Sequence, residues 1–219
     1  MRVRVPDLRP LAAFLIALAG GLGLLLVWQH RPAADASAAS TAAAPPAAAA
    51  PAAAAPVATG PIVPVRLVIP AIGVRAPVEA RGTVRSKNPF TGQVVDGFGV
   101  PASMHTTAWW SDGPEPGSGR MAVVLGHEQP GGDGVFNRLN RLHPGEAVDL
   151  FDKGGAVLHL QVLSAPLTGL DKSSSALSDA LNRHPAGADL ALVTCGGQFD
   201  SRVGQSVDNT VVFARVIGR

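Results

Sequence analysis

The sequence has a single cysteine, Cys195, in 219 residues. An intramolecular disulfide is therefore excluded whatever the compartment, and so is a cysteine-rich structural zinc site. Charge is scarce as well: 18 Lys and Arg against 16 Asp and Glu give a net charge of +2. With no patterned basic run, nucleic-acid binding lacks its electrostatic footprint. The phosphate-binding patterns G-x-x-x-x-G-K-[ST] and G-x-G-x-x-G and the metallopeptidase pattern H-E-x-x-H are missing. His143, His159 and His184 have no metal-ligand spacing, and no clustered acidic loop signals calcium. No metal or other cofactor is expected. There is no internal repeat, and helical periodicity is rare after the N-terminus. Glycine (25) and proline (19) are plentiful instead, separating short apolar runs. That pattern predicts many short strands and turns, an all-β barrel or sandwich.

The one long apolar run is Leu11 to Trp28, free of charge and preceded by Arg2, Arg4 and Arg9. Its length of about 18 residues suits a short membrane-spanning helix. The arginines before it favour a cytoplasmic N-terminus with the rest of the chain outside. Trp28 fits an interfacial anchor. Ala34-Asp35-Ala36 offers the alternative of a cleaved signal peptide, but the apolar stretch exceeds the ~7–15 residues of a signal core, so an uncleaved anchor is expected. The order read from the sequence is a cytoplasmic segment (1–10), a transmembrane helix (11–28), an Ala/Pro-rich linker (29–62) that buries no core, and a folded domain (63–219).

Within the folded domain, Val65–Ile69 reads as a strand, and Val74–Glu79 as an extended piece whose Pro77 suggests a sheet edge. A strand is expected near Gln93–Val95. Met121–Leu125 is a buried-strand run, and Phe136–Leu142 has the spacing of about two helical turns. Ala147–Phe151 and Ala156–Leu163 form a hairpin around Asp152–Gly155. A short helix carries Leu177 and Leu181 after the serines 173–175. Leu190–Thr194 and Thr210–Ile217 are the last two strands. Trp109 and Trp110 read as core and rim packing, and His105 as a surface or structural histidine.

Two strand ends carry the chemistry. Val123-Val124-Leu125-Gly126 delivers His127; Leu192-Val193-Thr194 delivers Cys195, after which Gly196-Gly197 should turn the chain. If the two strands are neighbours, both side chains emerge at one rim. A thiol becomes a useful nucleophile when a base or cation stands beside it, and cysteine with histidine is the simplest such pair. Glu128 and Asp133 could orient the histidine or be solvated loop charges.

The stretch Leu192-Val193-Thr194-Cys195 resembles the T-L-x-T-C signature of sortases, with Ala191 where threonine is usual. Val124–His127 resembles the strand bearing their histidine. Cys195–Asp200 with Asp208–Ala214, and Leu67–Val74 near the domain start, are similar to class F or E-like actinobacterial sortases. The resemblance spans about Val63 to Ile217. It implies an eight-stranded sortase β-barrel with one or two short helices, and a membrane-anchored cysteine transpeptidase. Such an enzyme cleaves an LPXTG-like C-terminal sorting signal of secreted proteins at the Thr–Gly bond and passes the acyl group to a cell-wall peptidoglycan precursor amine. Cys195 matches the nucleophile and His127 the histidine that acts as acid. The family's oxyanion-stabilising arginine has no match at its usual place, where Asn209 or Val207 falls. Arg202, in the loop before the last strand, is the candidate for that role, with Asn209 as an amide donor in its stead; Arg215 lies at the far end of that strand. This departure leaves a second reading, a non-catalytic or degenerate extracytoplasmic domain that binds peptide or wall material. A redox thiol protein is disfavoured by the missing C-x-x-C.

Overall fold

The computed structural model describes residues 55–218. The expected transmembrane helix and most of the linker lie outside them, and among the described residues no helix is long and apolar enough to cross a membrane. The elements in chain order are β1 (Arg66–Ile69), β2 (Val74–Arg81), β3 (Thr83–Lys87), β4 (Val94–Phe98), β5 (Thr107–Trp110), β6 (Ala122–Gly126), β7 (Ala147–Phe151), β8 (Val157–Val162), β9 (Leu167–Asp171), α1 (Ala176–Asn182), β10 (Leu190–Asp200) and β11 (Gln205–Val216).

Eight strands close a barrel in the order β10-β6-β5-β2-β1-β7-β8-β11, with β11 pairing back onto β10. β9 adds to the outside of β11, and β3 and β4 form a separate hairpin. Most pairs are antiparallel, but β2–β5 and β6–β10 are parallel. The mixed reading of barrel or sandwich thus resolves as the barrel.

Strand alternation sorts the wall into two cores. On β10, Leu190 and Leu192 point into the barrel with Val124, Val212 and Ala214. Their neighbours Ala191 and Val193 point outward and join Val123, Val211, Phe213 and Leu181 of α1 in a second cluster. Both faces of β6 and β10 are therefore apolar, which is why each reads as a continuous hydrophobic run. Trp109 is buried in the inner core, and Trp110 packs at the outer cluster, its ring edge-on to Phe98 at 5.2 Å.

Several local expectations change. Pro77 is not at an edge. β2 pairs with β1 through Val74–Pro77 and with β5 through Val78–Arg81, so the proline sits where pairing passes from one neighbour to the other. The next residue resumes the ladder, Val78 N–H donating to Val65 O at 2.9 Å. The pair Gly196-Gly197 does not turn the chain either: β10 runs on to Asp200 through a bulge, with Gly197 at φ +76°. Phe136–Leu142 holds only one 3-10 turn, Leu139–Arg141, although Phe136, Leu139 and Leu142 are all buried as their spacing requires. Upstream of Val63 the chain already lies on the barrel: Val57 bridges Val157, and Ile62 is buried.

Candidate active site

The parallel pairing of β6 and β10 aligns Leu192 with Val124 and Val193 with Leu125. One residue further, Thr194 Oγ1 donates to Gly126 O at 2.8 Å and fastens the two strands at their C-terminal ends. The next residues are Cys195 and His127. Cys195 continues the outward alternation of Val193 along β10, and His127 follows directly on the last residue of β6. Cys195 is half-buried and is the free thiol of the molecule. It lies mid-way along β10 rather than at its end, but β6 pairs with β10 only as far as Val193, which leaves the thiol's flank open.

The glycine before His127 has a steric cause. A Cβ at Gly126 would run into the ring of Phe136, which is itself buried. His127 Nε2–H donates to Pro101 O at 3.0 Å. A carbonyl can only accept, so the proton of the neutral ring is on Nε2, and Nδ1 is the nitrogen available for proton exchange. Pro101 O is held in turn by its neighbours: Ala102 N–H and Thr106 Oγ1 both donate to the Glu79 carboxylate. Those bonds, the hydroxyl of Thr106 first and Arg81 next, keep the Glu79 carboxyl below its ordinary value.

The residue the sequence did not point to is Lys172, immediately after β9. Its Nζ donates to Cys195 Sγ at 3.1 Å and to Ser206 O at 2.8 Å. Its backbone is fixed as well, Lys172 N–H donating to Val207 O at 3.0 Å and Asn88 Nδ2 to Lys172 O at 2.9 Å. Glu128, next to His127, feels the same ammonium. Burial raises the Glu128 carboxyl, and the charge of Lys172 draws it part of the way back. No motif surrounds Lys172; its one sequence signal is its position after a short strand ending in Asp171.

Arg202 lies in the turn between β10 and β11 and is engaged elsewhere. Its Nε and Nη2 donate to the two carboxylate oxygens of Asp200 at 3.1 and 2.8 Å, and its side chain is 88% exposed. Asn209 is the cross-strand partner of Cys195. Arg215 pairs across from Gln161, at the other end of β11. Asp133 turns to His105, 3.7 Å away, and both are exposed, so His105 belongs to the surface.

A groove of about 760 Å³ is lined by Lys172 and Asn209, with Trp110, Leu125, Leu177 and Phe90 among its apolar lining. The groove lies between the β3–β4 hairpin and α1, and the lysine that bonds the Cys195 thiol is part of its wall.

A family model described as the sortase domain matches residues 67–217, about two thirds of the chain and nearly all of the barrel. The chain belongs to the sortase family. Sortase folds are also what it is similar to among solved structures. Sortase C-1 from Actinomyces oris is 21% identical with a TM-score of 0.47, over 72% of this chain and 77% of that one. Sortase A from Corynebacterium diphtheriae is 18% identical with a TM-score of 0.49, over 73% of this chain and 62% of that one. No curated protein sequence matches. Sortases are cysteine transpeptidases, and this sortase domain contains one cysteine with which to be one.

Proposed function

We propose that the chain is a membrane-anchored sortase that cleaves an LPXTG-like signal at its Thr–Gly bond and transfers the acyl group to a cell-wall amine. What supports this reading is the parallel pairing of β6 and β10, strands that lead to His127 and to Cys195, together with the apolar groove lined by Lys172, the residue bonded to the thiol. An extended peptide laid in that groove brings a backbone carbonyl to the thiol. The Cys195 thiolate attacks the threonine carbonyl carbon, and its π electrons move to the oxygen. As the tetrahedral intermediate collapses, the C–N bond breaks and the glycine nitrogen takes a proton from Nδ1 of protonated His127. A thioester remains. The incoming amine attacks it and gives a proton to His127, and the thiolate leaves. Arg202 can serve the oxyanion only by leaving Asp200.

The N-terminal apolar run as anchor, the extracytoplasmic placement and the peptidoglycan acceptor complete the proposal. Neutral Asn209 opposite the thiol favours one second reading, a degenerate peptide-binding domain. Detergent-solubilised full chain, assayed with a fluorogenic LPXTG peptide and an added amine, separates the two. Cleavage that Cys195→Ala abolishes supports the transpeptidase. Binding without cleavage supports the degenerate domain and rejects the enzyme.

A further inference from the structure

We infer that Lys172 is the catalytic cation of this site: its ammonium balances the Cys195 thiolate, and its remaining N–H faces the charge that develops on the acyl oxygen. The inference rests on the transpeptidase reading for its second half only. The 3.1 Å contact makes Lys172 the one cation bonded to the sulfur among the described residues. No carboxylate forms an ion pair with it there; Glu128 feels its charge only at longer range. It is a held group rather than a swinging one, because Ser206 O takes a second N–H and two backbone bonds fix the main chain on either side. A lysine ammonium has three N–H donors. With one on the sulfur and one on Ser206 O, the third is free to meet an oxygen bonded to the carbon that the sulfur attacks.

The groups drawn from the sequence do not compete for this place. Asn209 is a neutral amide, and Arg202 has its fork on Asp200. A cation next to a thiol favours the nucleophilic thiolate, and hydrogen bonds to charged partners are the stronger kind. The ring of Phe90 lies 6.0 Å from the ammonium, at the outer reach of a cation–π contact.

Because Cys195 is the only cysteine, iodoacetamide reports on it alone and needs no substrate. The test compares alkylation rates at pH 7 of the full chain in detergent with those of Lys172→Met, Lys172→Arg and Arg202→Ala, each with a melting curve. Lys172→Met is expected to react roughly tenfold more slowly, the lost thiolate being partly offset by higher nucleophilicity of what remains. Lys172→Arg should restore most of the rate, and Arg202→Ala should match the parent. Lys172→Gln carries the same readout if the methionine variant does not fold. Parental alkylation in a folded Lys172→Met or Lys172→Gln variant overturns the inference, as does an equal loss in Arg202→Ala. For the oxyanion, acylation by a sorting peptide should fall by a further ~10²–10³ beyond the alkylation loss, the usual effect of removing one such donor. A loss no greater than that in alkylation overturns that half. Slow alkylation of Lys172→Met alongside no peptide cleavage by the parent leaves the thiol–lysine pair standing and rejects the transpeptidase.

Discussion

Gly126, just before His127, sits where the barrel is packed too closely for a side chain. Phe136 occupies the space of a Cβ at position 126, so Gly126→Ala should cost about 1–3 kcal/mol by overpacking. A lower midpoint in urea with an unchanged slope checks it, and an unchanged midpoint contradicts the contact. His127 has one nitrogen committed to Pro101 O and one free. His127→Ala should therefore spare alkylation of Cys195 far more than it spares turnover, which should drop by ~10²–10⁴. Comparable losses in both would mean that the histidine acts on the thiol rather than on the leaving amine.

At the scale of elements, the loop between β4 and β5 ties the barrel wall to the histidine. Glu79 on β2 accepts from Ala102 N–H and Thr106 Oγ1, and Pro101 next to them meets His127. The Glu79 carboxyl titrates lower in the folded chain than its ordinary 4.5. A depressed carboxyl contributes stability above its unfolded value, and that contribution fades as pH falls through the folded value. The melting temperature of the parent should thus fall more between pH 5 and pH 3 than that of Glu79→Gln. Equal falls would remove Glu79 from the account.

The strands that lead to the site residues were legible because they bury both faces. β6 and β10 read as unbroken apolar runs because one face meets the inner core and the other meets α1. The hairpin of β7 and β8 and the helix with Leu177 and Leu181, each burying one face, were legible instead through spacing and turn residues. β3 and β9 were not, since β3 is exposed throughout and β9 nearly so, which leaves no alternation to read. Pro77 misled because one strand can change neighbours along its length. In the candidate site, Cys195 and His127 stand out in the sequence because each follows a buried apolar run, although Cys195 lies mid-strand and not at a strand end. Lys172 was not, because its partners are a sulfur 23 residues away and a carbonyl 34 residues away. Tertiary closure alone brings it there.

For the whole molecule, the expected N-in, C-out topology is a separate proposition from the chemistry. Protease added to intact protoplasts should remove the domain after Val63, and protection of that domain would place it on the wrong side of the membrane. The central claim is that Cys195 carries an acyl group in a sortase reaction. Its most direct test is the intact mass of the full chain, quenched in acid after brief exposure to an LPXTG peptide. The account predicts an adduct with the mass of the acyl fragment up to threonine, discharged by hydroxylamine and missing in Cys195→Ala. An unmodified parent chain under conditions where the peptide binds, or the same adduct on Cys195→Ala, would contradict it.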